Sequence, residues 1–478
     1  MRKLKELATS VAVAVLLVSP VAADQLADEV VDQVVAAYGG KTLTDMKSLF
    51  VRDRYKMINT DGGAVPGEAT VSRLYSDLSV DFETGQKSVK NWTMNQNGNR
   101  LGQIMFDGEK GWSVNHLRGS HVRRDDLNGD NVGAGMMRLL DATVVRSLFE
   151  NRNSAALKED VQYRGVPHYQ LTFATEKGPE QLLYIDKSSG LVSKMIRGRA
   201  VYEFADHVFT DGIAYARDTN FLASGQPRLV TTSRSIQVNA NVEDAFSVPK
   251  ATKALEGMRD TSSMDVVSPA KGVYLAGKGF SASIFVDAGD YFVGAGGMGG
   301  IKDRLSAVQE MSGSDKPLRY QVIPEHHPGH NRGAKDIADL GAIFVTVENH
   351  VASIQDLLDA PLPDDRFLLV DGQQELADGK VGVYEIATIQ SAQYLIFYVP
   401  SAKLVFGVDD FGTNLLNSVP SPDRRMISFR KAIEALDLDV EQFAHVHGTG
   451  LLTIDQLREV TDSYRHRSCP AGHSICAD

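Results

Sequence analysis

Leu318–His350 reads LRYQVIPEHHPGHNRGAKDIADLGAIFVTVENH. An apolar strand-like run ends at Ile323, Pro324 breaks it, and Glu325-His326-His327-Pro328-Gly329-His330 follows at once. Gly333 to Gly341 then has helical spacing, and Ala342 to His350 reads as the next strand. Three imidazoles and a carboxylate within six residues, at a strand end where Pro and Gly let the backbone turn, is an arrangement a buried divalent metal uses. A single histidine there would more often be structural.

Working outward, the same pattern recurs. Asp409 and Asp410 end the strand-like KLVFGV, and His445-Val446-His447-Gly448 follows a helix around Ser428 to Leu436. Six of the twelve histidines lie between Gly272 and Tyr464, and five of those fall in the two clusters. Upstream, GVYLAG, SASIFVDAG and DYFVGAG are hairpin-spaced, whereas later strands alternate with helices. The expectation is an α/β domain with a mixed sheet, arranged as a sandwich with helices outside. A rival motif lies inside it: Gly294-Ala295-Gly296-Gly297-Met298-Gly299 matches the dinucleotide fingerprint, with Glu325 where that fold keeps its ribose-binding acid. Hairpin-linked strands before it and the histidine cluster beside it count against that reading, and a tight glycine turn explains it more simply.

In this order the elements resemble the metallo-β-lactamase-fold hydrolases over about Gly272 to Val460. The resemblance rests on GVYLAG…SASIFVDAGDYFV, the stretch quoted above, YLIFYVPSAKLVFGVDDF and HVHG. It implies that the family's His-x-His-x-Asp-His motif falls on Glu325, His327, Gly329 and His330, the next His on Gln390, the bridging Asp on Asp409 and the last His on His447. Glu325, Gly329 and Gln390 therefore depart from the pattern. Asp409, His330 and His447 are the leading candidate ligands, followed by His327 and Glu325. The expected centre holds one zinc, or another divalent metal, rather than two, because the acid that the family uses to orient water is missing at Gly329. Glu325 is the candidate proton acceptor if it is not itself a ligand. Val351 to Pro363 and Gly412 to Pro422 are expected to line the pocket. The alternative is a non-catalytic binding or scaffold protein on the same fold.

Residues 24–250 form the other expected domain. LADEVVDQVVAAY gives a helical stripe of Leu26, Val30, Val31, Val34 and Val35, closed by Gly39-Gly40. Short alternating runs follow, interrupted by a helical insert over roughly Gly133 to Glu150. The expectation is an α+β antiparallel sheet domain with helices, followed by the αβ/βα sandwich over 270–465, with 251–269 as linker. YEFADHVFTDGIAYA and VTTSRSIQVNANVEDAFSVP loosely resemble LolA-like sheet domains, to which no chemistry is assigned; for the protein as a whole a small-molecule or lipid-like ligand is the expected partner. Trp92 and Trp112 are read as core packing.

A net charge of −11 disfavours a general nucleic-acid binder. Arg2, Lys3 and Lys5 precede an apolar run from Leu7 to Val18, and Val21-Ala22-Ala23 offers small residues for cleavage. Residues 1–23 thus read as a secretory signal peptide, which predicts a periplasmic or secreted protein. No later stretch reaches the roughly 18 apolar residues of a transmembrane helix. Both cysteines, Cys469 and Cys476, fall in the tail, 466–478, where export permits a disulfide. Any metal in the core must then rely on histidine and carboxylate.

Overall fold

The computed structural model describes residues 20–416 and 418–476; most of the expected signal peptide, residues 1–19, lies outside them. The chain divides into two compact units. One reaches to Met46 and resumes over Met137–Gly225, and the other takes Lys47–Met136 and Gln226–Asp478.

In the first unit the helix Pro20–Ala37 packs on the helix Asp141–Glu150. The buried stripe is Ala27, Val30, Val31, Val34, Val35 and Tyr38, while Leu26 is exposed. The expected stripe was therefore one position out at its start, since Ala27 continues the i, i+3, i+4 series and Leu26 does not. Strands Val166–Phe173, Gln181–Asp186, Val192–Arg197, Ala200–Thr210 and Ile213–Ala223 form an antiparallel meander.

The second unit contains another antiparallel run, ordered Ser120–Arg123, Gly111–Asn115, Gly98–Phe106, Lys87–Asn95, Thr70–Asp81, Ser48–Asn59 and Gln226–Val238. Trp92 is buried against Leu101 and Ile475 of the tail, and Trp112 donates its indole N–H to Asp107 at 2.8 Å. Cys469 and Cys476 are bonded, with Cα atoms 5.8 Å apart, so neither is a metal ligand.

Two further sheets complete this unit. The first runs Asp265–Ala270, Val273–Lys278, Ser281–Asp287, Phe292–Ala295, Leu318–Val322, Ile343–Thr346 and Phe367–Leu369, antiparallel through its first three pairings and parallel thereafter. The second has six strands, from Gln373–Leu376 to Gly448–Thr453. Alternation along the strands shows the layering. Leu275, Ile284, Val293 and Val345 share one core with Val383, Ile396, Val405 and Phe443 of the second sheet. Their neighbours Ala276, Phe285, Phe292 and Phe344 turn outward under Ile301, Leu305, Val308, Ile337 and Ile354 of the helices. On the far side Phe429, Ile433, Leu457 and Val460 bring two more helices onto the second sheet. Strands buried on both faces must be apolar at every position, which is why these segments read as continuous Val/Ile/Phe runs. Each fully buried Phe contributes about 1.5–3 kcal/mol. The protein is thus a sheet-rich α+β molecule, and no helix among the described residues is long and apolar enough to cross a membrane.

Candidate metal centre

The residues singled out in the sequence meet at one end of this sandwich. The backbone beyond Leu318–Val322 stays tied on both sides: Ile323 N–H donates to Val345 O at 2.9 Å, and Leu395 N–H to Pro324 O at 2.8 Å. A single 3-10 turn, Pro328–His330, then presents His330. Gly297 is needed here, because a Cβ on it would stand 2.5 Å from His330 O. Asp409 follows the strand Leu404–Gly407, and His447 sits in the turn between Gln442–His445 and Gly448–Thr453.

Three donor atoms converge. His330 Nε2 lies 3.3 Å from His447 Nε2 and 3.5 Å from Asp409 Oδ1, and His447 Nε2 lies 2.7 Å from Asp409 Oδ1. Zinc bonds of about 2.0–2.1 Å at tetrahedral angles place neighbouring donors about 3.3 Å apart, which the two separations from His330 Nε2 match; the 2.7 Å between His447 Nε2 and Asp409 Oδ1 is a hydrogen-bond distance that a bound ion would open. The opposite edge of each imidazole is anchored: His330 Nδ1 against Glu325 Oε1, and His447 Nδ1 against Phe280 O at 3.0 Å. An Nδ1–H that donates to an acceptor leaves the Nε2 lone pair free, the usual way a protein orients a metal-binding histidine. The residues present therefore fit a metal ion.

Glu325 is fully buried, and its Oε2 has no hydrogen-bond partner. Burial alone would raise its pKa, but hydrogen bonds to and positive charge on His327 and His330 outweigh that and hold it at about 2. Reciprocally, burial lowers both imidazoles, yet Glu325 raises them overall. Asp409 is likewise held below the ordinary carboxylate range: burial opposes this, and His447, His330 and Arg425 prevail.

Glu325, His327 and His330 form a second group of possible metal-ligand atoms, all within 4.8 Å of one another, that shares His330 with the triad. His327 has Nδ1 2.9 Å from Glu325 Oε1 and Nε2 3.1 Å from Gly63 O. It turns toward a carboxylate and a carbonyl rather than toward Asp409. Asp410 points the other way into the core, where burial raises its pKa to about 8 and neither oxygen has a partner. His445 is buried with a pKa lowered by burial to about 4. It fits only because residue 412 is glycine, whose Cβ would stand 2.1 Å from the ring. His326 is buried beside His327 and His350. The glycine-rich loop binds itself: Asp336 Oδ2 accepts from Gly300 N–H and Ile301 N–H at 3.1 and 3.0 Å, where a phosphate would sit, and buried Arg304 donates to Met298 O and Gly299 O.

A cavity of about 880 Å³ opens beside the triad, within the usual size of a small-molecule site. His327, Gly329, His330, Gln390 and Asp409 form one side. The other side corrects the expectation that Val351–Pro363 and Gly412–Pro422 line it: that wall comes from 57–59, 61–62, 68–72, 95–97 and Arg228 of the antiparallel sheet. Val351–Gln355 is a helix whose Ile354 packs into the outer core, and Asn414 O and Leu416 N–H are tied to Arg259 and Gly257 of the expected linker. Nothing local in the sequence marks Gly63 or Arg228 as neighbours of His327. Arg425, 3.7 Å from Asp409, was also missed.

No family model matches this sequence, and no curated protein does. Solved structures similar to it include the DIM-1 metallo-beta-lactamase (14% identity, 42% of this chain and 96% of that one, TM-score 0.34). A metallo-beta-lactamase from Hirschia baltica shows 16% identity over 41% of this chain and 95% of its own, with TM-score 0.31. The flavodiiron protein from Giardia intestinalis shows 17% identity over 41% of this chain and 58% of its own, with TM-score 0.32. At such scores the case for the centre rests on its own geometry.

Proposed function

We propose that this protein is a metal-dependent hydrolase with one zinc ion on His330 Nε2, His447 Nε2 and Asp409 Oδ1. The observation that carries this is the donor triangle itself, with both imidazoles locked from behind by Glu325 and Phe280 O. His330, His447 and Asp409 would hold the ion, which would supply Lewis acidity and activate water near neutral pH. Asp409 offsets part of the ion's charge, and Arg425 holds the carboxylate from its other oxygen. Glu325 is sealed from solvent and engaged by two histidines, so its role in this reading is to orient His330 rather than to carry protons. His327, placed between Glu325 and Gly63 O, stays outside the triad. Export to the periplasm or medium belongs to the same reading and rests on residues 1–23; amino-terminal sequencing of the mature protein should begin at Asp24.

The test is hydrolysis of chromogenic ester, thioester, lactam and phosphodiester panels by zinc-loaded protein. Turnover of at least one class, abolished in His447→Ala, supports the reading. A second reading, a non-catalytic binding protein on the same fold, is favoured by Gly329 and Gln390 and by the orientation of His327. Bound zinc with no turnover on any panel would select it.

A further inference from the structure

Much of the cavity wall facing the metal ligands is provided by the antiparallel sheet, and its chemistry is distinctive. In a chain with 61 acidic and 50 basic residues, the cavity collects three arginines and no lysine: Arg228, Arg332 and Arg425. Arg425 is engaged by Asp423 at 3.1 Å and lies near Asp409. Among the described residues, Arg228 and Arg332 form no ion pair; Arg228 has only Asn59 Oδ1 at 3.5 Å. The acids on the same wall make hydrogen bonds within their own loop: Glu68 Oε2 accepts from Ala64 N–H at 2.8 Å and Asp61 from the Thr60 hydroxyl at 3.3 Å. The lining is also rich in carboxamides, with Asn59, Asn95, Gln96, Asn97 and Gln390. The Asn97 side-chain oxygen is buried and unpartnered. A planar guanidinium matches an oxyanion with two parallel hydrogen bonds, and carboxamides suit a polar rather than a hydrocarbon ligand.

We infer that the cavity takes a polar substrate bearing an oxyanion group, carboxylate or phosphate, and that Arg228 and Arg332 are its specificity-determining residues. The inference deepens the hydrolase reading and rests on it for calling the ligand a substrate. Arg228 reaches the cavity from the antiparallel sheet, and Arg332 from the segment that carries His330.

Calorimetric titration tests it with three probes: glutarate, phenyl phosphate and the neutral glutaramide. Zinc content is measured on the same samples. At least one anion should bind about tenfold or more tightly than glutaramide, and the tighter one names the group. Arg228→Gln and Arg332→Gln should each weaken that anion about tenfold without changing zinc content. The preference should persist in the His330→Ala/His447→Ala protein, because it does not depend on the metal. Equal binding of all three probes, or anion binding unaffected by both arginine variants, overturns the inference. Anion preference in a protein that never holds zinc leaves it standing and removes the hydrolase reading; zinc without anion preference does the reverse.

Discussion

The Nε2 atoms of His330 and His447 stand 3.3 Å apart, brought together from positions 117 residues distant in the chain. Each imidazole is held from behind by an acceptor, one a buried carboxylate and the other a backbone carbonyl. That difference between the two anchors can be tested.

Glu325→Gln keeps the shape behind His330 but removes the charge. Zinc affinity should fall about 10- to 100-fold, read by competition with a chromogenic chelator. The change at Phe280→Ala should be smaller, because the anchor of His447 is a main-chain oxygen that survives it.

The contribution of His327 and His330 to the stability of the apo protein should be greatest on the acid side of neutrality, whereas the buried histidines whose pKa is lowered, His116, His350 and His445, act in the opposite sense. His327 and His330 have pKa values raised above 6.5 in the folded state. Their contribution is fully present below 6.5 and lost as pH rises through the raised values. The Glu325 carboxyl is depressed to about 2, so its contribution is present above its ordinary pKa of 4.5 and lost only in strong acid. Zinc binding requires an unprotonated His330, so the melting-temperature gain from zinc should grow as pH rises from 6 to 8. Scanning calorimetry with and without metal reads both.

Asp409 and Asp410 are neighbours with opposite environments. Asp409→Asn should abolish zinc binding. Asp410, raised to about 8 by burial, binds its proton more tightly folded than unfolded, so its cost to stability grows as pH rises from 3.8 toward 8. Asp410→Asn should therefore raise the melting temperature at pH 7 while leaving zinc affinity nearly unchanged.

An added Cβ at Gly329 meets nothing within 4 Å, and the residue lines the cavity. Gly329→Asp should fold with stability within about 0.5 kcal/mol of the parent. Zinc uptake, measured by mass spectrometry of the native protein, should rise above one equivalent.

Much of the centre was legible because its chemistry is concentrated at strand ends. His330, Asp409 and His447 each follow an apolar run, and the alternation of Ile284 with Phe285 and Phe344 with Val345 carries the layering. Residues brought in by long-range packing were not legible. Gly63 reaches His327 from a turn 264 residues away, and no periodicity encodes that pairing. Arg228 sits on a strand whose own pattern says only that it is half buried. The roles of Glu325 and His327 were open for the same reason: spacing places them beside a metal, but hydrogen-bond partners decide which way each side chain turns. The glycines at 294–299 resembled a phosphate loop because close backbone approach, here of Gly297 to His330 O, also demands glycine.

The most direct test is zinc stoichiometry of protein purified without chelator, compared with the His330→Ala/His447→Ala double variant by elemental mass spectrometry. Circular dichroism should confirm that both are folded. About one equivalent is expected in the parent and none in the double variant. A parent that takes up no metal on loading with zinc, or a double variant that keeps its zinc, would contradict the centre described here.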